Sequence, residues 1–187
     1  NNATEEKQVN QHSKQPNEEK LLRDAILQYP DSFLLKEKLI QHFRDSGNYS
    51  VALKEINKVL EKDSLNTRLW KIKATLHFED ADTANAIRSF EKAIRIFPEM
   101  QTIISAGTLY AQTKNPLAID MADALLNGYK SKADKEAYFI KGLYFSFKND
   151  KIKAIEFFDK CLSLNYTYMD AYREKALALY DLEKYSE

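Results

Sequence analysis

NYSVALKEINKVLEKD, residues 48–63, carries the pattern on which this chain is built. Ala52, Ile56 and Val59 fall four and then three residues apart, which places them on one face of a helix. The same order returns in DTANAIRSFEKAIRIFP (82–98) as Ala86, Phe90 and Ala93, and in KIKAIEFFDKCLSLN (151–165) as Ala154, Phe158 and Cys161. Ala52 and Ala86 are 34 residues apart; the next two intervals, through Ala118 to Ala154, are 32 and 36 and average the same period. A unit of that length cannot bury its apolar face alone, so the period predicts helix pairs stacked on one another.

The segments between these helices supply the other half of each unit. An aromatic stands near the start of each: Trp70 in RLWKIKATLHF, Tyr138 in AYFIKGLYFSF and Tyr172 in AYREKALALY. Four residues on comes a small side chain, Ala74, Gly142 or Ala176. The bulky ring fills the gap between units, and the small residue lets the paired helix approach closely.

Composition agrees with an all-helical chain. Four Gly and four Pro among 187 residues are too few for many tight hairpins or for phosphate-cradling loops. Lys and Arg number 28, as do Asp and Glu, so no global basic field gathers nucleic acid or an anionic membrane. Cys161 is alone, which excludes an internal disulfide. No apolar run reaches the length of a spanning helix.

Residues 1–17 are polar and cannot offset their own ordering entropy, and they are read as a disordered tether. LLRDAILQYP (21–30) has helical spacing and stops at Pro30, giving a capping helix over 18–31. The array proper is placed at 32–187. Its helices are predicted at about 32–45, 49–62, 66–79, 83–97, 100–113, 116–127, 133–147, 151–163 and 168–181.

The chain resembles the tetratricopeptide repeat family from about Asn17 to Glu187. The matching residues are Trp70, Ala86, Phe90, Ala93 and Pro98 in one unit, and Ala137, Tyr138, Gly142, Phe145, Ala154 and Phe158 in another. Gly47 and Tyr49 supply a turn signature, as Tyr185 does near the end. The unit at 100–130 lacks the aromatic anchor, and the first unit has Lys36 and Ile40 where an aromatic and a small residue are usual. The resemblance implies an all-α, right-handed superhelical solenoid of antiparallel helix pairs.

It also implies a concave groove lined by the first helix of each unit, in which a peptide or helix of a partner protein lies. Carried over by position, the groove takes Arg68, Lys71, Thr75, Phe78 and Glu79 from the second unit. The fourth gives Glu136, Phe139, Leu143, Ser146 and Phe147, and the last Asp170, Arg173, Leu177, Tyr180 and Asp181. The third gives either Ile104 and Thr108 or Ser105 and Leu109. Members that clamp an acidic C terminus use Lys, Asn and Arg; Lys71 matches, but Thr75, Leu143 and Leu177 stand at positions where such a clamp needs other groups. An exposed apolar strip of Phe139, Leu143, Phe147, Leu177 and Tyr180 is expected instead.

No catalytic constellation is found. His42 and His77 have no second ligand at metal spacing, and Cys161 takes the small-residue place of a buried helix. Neither a cofactor nor a metal is expected, nor a small-molecule substrate. The leading expectation is a non-catalytic interaction scaffold for another protein. Alternatives are a membrane-tethered lipoprotein that assembles cell-envelope machinery, or the regulatory repeats of a larger enzyme. The polar start at Asn1 and the Lys-rich composition favour a lipid-anchored bacterial envelope location over a cytoplasmic one. AYREKALALYDLEKYSE (171–187) reads as the first helix of an unfinished fifth unit, expected to fray or to self-associate, in a protein that continues past Glu187.

Overall fold

The computed structural model describes residues 15–184; most of the expected tether and Tyr185 lie outside them. Among the described residues there are ten helices and no strand: α1 (Gln15–Gln28), α2 (Phe33–Asp45), α3 (Tyr49–Lys62), α4 (Thr67–Glu79), α5 (Thr83–Ile96), α6 (Met100–Gln112), α7 (Leu117–Gly128), α8 (Asp134–Phe147), α9 (Lys151–Leu164) and α10 (Met169–Lys184). The interior boundaries fall within a residue or two of those expected from periodicity. None of these helices is long and apolar enough to cross a membrane. The described chain divides into two compact units, one ending at Ala86 and the other beginning at Ile87.

In the first unit, Leu39, Ile40 and Phe43 of α2 meet Ala52, Ile56 and Leu60 of α3 in one core, and Leu69 and Leu76 of α4 complete it. Ile40, too large for the usual small-residue place, is buried here rather than excluded. Leu22 and Ile26 of α1 pack on this core, so α1 covers an apolar face that would otherwise meet water. Ser32 and Asn66 cap α2 and α4 by accepting from the amides of Leu35 and Leu69 at 3.4 and 3.2 Å. Trp70 lies part-buried beside the core and donates its indole N–H to the Ser64 carbonyl at 2.9 Å.

The turn inside each helix pair is built the same way four times. Gly47, Ala81, Lys114 and Asn149 all have positive φ, between 59 and 71°. Each donates its amide to a carbonyl three residues back, and the next amide reaches a carbonyl five back: Asn48 to Phe43, Asp82 to His77, Asn115 to Tyr110 and Asp150 to Phe145, at 2.8–2.9 Å. These two bonds define a Schellman cap, which satisfies the last carbonyls of the first helix and reverses the chain in about three residues. Only Gly47 adopts that backbone without steric cost.

In the second unit, α6 pairs with α7 and α8 with α9, while the first helices α6, α8 and α10 touch in succession. Gly142 shows why a small residue is needed: a Cβ there would lie 2.5 Å from the ring of Phe158. At Gly107 it would meet Ile140 Cδ1 at 3.0 Å and Met121 Cβ at 3.1 Å. Gly107 therefore takes the same place as Gly142. That fixes the register of the third unit as Ile104 and Thr108, both half-buried, and it sends the alternative Leu109 into the core.

One expectation for the last helix changes. That segment is helical through Lys184, with Ala171 and Ala178 fully buried and with Lys175 and Asp181 paired to Asp159 and Lys151 of α9. Tyr172 and Ala176 are exposed and not packed, since no described helix lies on that side.

Candidate functional site

The expected groove residues fall in both units, and each set stands on its own face. In the first unit, two ion pairs staple α2 to α4. Arg68 donates from Nε and Nη2 to Glu37 Oε1 at 3.0 and 2.6 Å. Further along the same two helices, Arg44 grips Glu79 with two nitrogens, Nε to Oε2 being 2.7 Å. Those bonds hold the Arg44 guanidinium above its ordinary pKa despite partial burial. Arg68 is thus exposed but already engaged, and Lys71 is half-buried between these pairs in sequence. Thr75 spends its hydroxyl on the Lys71 carbonyl at 3.1 Å. Little donor capacity for a carboxylate clamp is left, while Phe78 keeps 46% of its surface exposed.

In the second unit, expected groove residues lie on α8 and α10. Phe147, Leu177 and Tyr180 are 40, 52 and 55% exposed. Leu143 is not among them. At 5% exposure it belongs to the core, because its face of α8 also carries buried Ala137, Ile140 and Gly142. Phe139 is half-buried, its ring 6.0 Å from Phe158 and 5.1 Å from Tyr168. The apolar strip is therefore narrower than the sequence implied and lies toward the C-terminal ends of α8 and α10. Arg173 sits at the other end of α10, exposed and 3.4 Å from Asp170.

Lys151 bridges these two helices. Its Nζ is 3.5 Å from Ser146 Oγ of α8 and 2.8 Å from Asp181 Oδ2 of α10. Both partners stand at groove positions named above, so one lysine holds the two first helices side by side next to Phe147 and Tyr180. Nothing in the local sequence marks Lys151 for this role, since its partner lies thirty residues on.

Cys161 is fully buried, and burial pushes its thiol up to about 11. Burial also pushes the Tyr168 phenol up to about 12. His77 Nδ1 lies 3.3 Å from Asp82 Oδ2, but desolvation outweighs that carboxylate and lowers the imidazole.

Residues 135–168, which span α8 and α9, match the family described as tetratricopeptide repeat. An uncharacterised protein of Methanocaldococcus jannaschii is 46% identical over 52 residues, which is 28% of this chain and 60% of that protein. A tetratricopeptide repeat protein from Parabacteroides merdae superposes with a TM-score of 0.76 at 20% identity, over 89% of this chain and 66% of its own. YrrB, described as a tetratricopeptide repeat protein with an unusual peptide-binding site, superposes with a TM-score of 0.62 at 19% identity, over 87% of this chain and 84% of its own. The chain thus carries the tetratricopeptide-repeat solenoid fold, whose members act in general as interaction scaffolds without catalysis of their own.

Proposed function

We propose that this tetratricopeptide-repeat chain is a non-catalytic scaffold that holds a peptide or amphipathic helix of another protein against its first-helix faces. The observation that carries the reading is the contrast along α8 and α10. Core positions of these helices are 0–5% exposed, yet Phe147, Leu177 and Tyr180 on the same helices stay 40–55% exposed. Large aromatic side chains left in water beside a rigid frame are what a partner's apolar anchors bury to advantage. Lys151 and Asp181 supply the frame and leave the strip flanked by charge, which orients an amphipathic segment. In the first unit, Phe78 beside the Arg44–Glu79 pair offers a smaller contact of the same kind.

The test uses peptides selected from a random display library on the full chain. A selected peptide should bind the Phe147→Ser/Tyr180→Ser variant at least about tenfold more weakly, by fluorescence anisotropy. Because both side chains are already exposed, the variant should keep the wild-type melting curve. Equal affinity with an unchanged melt removes α8 and α10 as the binding face.

A further inference from the structure

A hollow of about 340 Å³ opens between α1, α2 and α3, entirely within the first unit. It lies at the low end of the volumes that take small ligands. Ile26, Leu27, Leu39 and Val59 give it an apolar wall, with Leu39 almost fully buried and Leu27 80% exposed. The charged lining is one-sided: Arg23, Lys36, Lys58 and Lys62 against Glu55 alone.

That single carboxylate is already answered. Lys58 Nζ stands 3.0 Å from Glu55 and Arg23 Nη1 3.4 Å, and Arg23 is shared with Glu19 at 2.7 Å. Among the described residues, no carboxylate pairs with Lys36 or Lys62. The hollow therefore joins an apolar floor to two ammonium groups that pair with no carboxylate among the described residues.

We propose that this hollow is a binding site for an aliphatic carboxylate, the alkyl chain lying on Ile26, Leu39 and Val59 and the headgroup meeting Lys36 and Lys62. Charge complementarity selects an anion, and the apolar wall selects a tail. A peptide segment suits the same site less well. Its backbone N–H groups need acceptors, and the lining side chains offer only Glu55, which is taken. An alkyl chain has no such requirement. The site is separate from the first-helix faces of the second unit, so it stands or falls independently of the protein-binding reading.

The experiment is calorimetric titration of the full chain with dodecanoate below its micelle concentration, with dodecylamine and an acidic leucine-containing peptide as parallel probes. Saturable one-to-one binding of dodecanoate is expected, absent with dodecylamine. The Lys36→Gln/Lys62→Gln variant should bind at least about tenfold more weakly. Should that variant melt early, Leu27→Glu serves instead: it places a carboxylate at the mouth on an exposed side chain and should produce a loss of the same order. Equal binding of dodecylamine, binding of the peptide but not of dodecanoate, or wild-type affinity in a folded variant each overturns the proposal.

Discussion

Lys151 at the start of α9 pairs with Asp181 near the end of α10 at 2.8 Å, with the lysine side chain only 13% exposed. The pair closes the last three helices into one block. Removing Asp181 leaves a mostly buried ammonium whose remaining contact is Ser146, whereas removing Lys151 leaves a carboxylate that is 41% exposed and able to find water. Asp181→Ala is therefore expected to cost more than Lys151→Ala, by about 1 kcal/mol. Urea melts of the two variants measure the difference, and hydrogen exchange should show the loss concentrated in α10.

The four Schellman turns differ in how well their residues suit a left-handed backbone. Lys114→Gly removes a Cβ from φ 59° and should stabilise the chain by about 0.5–1 kcal/mol. Gly47→Ala, at φ 71°, should cost a similar amount. Opposite shifts in thermal midpoint are the expected result; shifts of one sign would show that the turns do not set these energies.

Gly142 and Gly107 hold equivalent places but face different neighbours. Gly142→Ala drives its new methyl into the fully buried Phe158 ring at 2.5 Å, a clash costing about 1–3 kcal/mol before the helix-propensity gain of about 1 kcal/mol. Gly107→Ala meets the flexible end of Ile140 at 3.0 Å and is expected to cost less. Phe158→Leu should rescue the first variant and leave the second unimproved, as read by thermal unfolding.

Cys161, fully buried and with its thiol pushed up to about 11, should resist a disulfide reagent at about pH 8 in the folded protein and react at once in denaturant. Equal rates in the two conditions would mean that α9 opens readily.

His77 has a pKa lowered from 6.5, mainly by desolvation, with Asp82 opposing the shift. Below 6.5 the unfolded chain binds a proton that the folded chain resists, so this residue's contribution is intact above 6.5 and is lost as pH falls below it. Denaturant midpoints on the two sides of that value should show the loss in the wild type and a smaller one in His77→Gln.

The fold was legible because its signal is local and repeated. Ala52, Ile56, Ala86, Phe90, Ala154 and Phe158 announce their burial by spacing alone, and all are core residues. Gly47 announced one turn, and the recurrence at Ala81, Lys114 and Asn149 was there to be aligned, but an Ala or Lys gives no residue-type cue for a left-handed backbone.

The surface was less legible. A position in a repeat says which helix face a residue is on, but not how closely the next unit covers that face. Leu143 and Leu177 hold equivalent places, yet one is buried and the other half exposed. Arg68 and Lys36 are both cations on first helices, yet of the two only Arg68 pairs with a carboxylate among the described residues, a glutamate 31 residues away. Amphipathic period and small-residue spacing determined the helices, their pairing and their core. Burial at the rim, charge pairing between repeats and the hollow under α1 were decided by tertiary structure, because each depends on contacts between residues that no local spacing brings together.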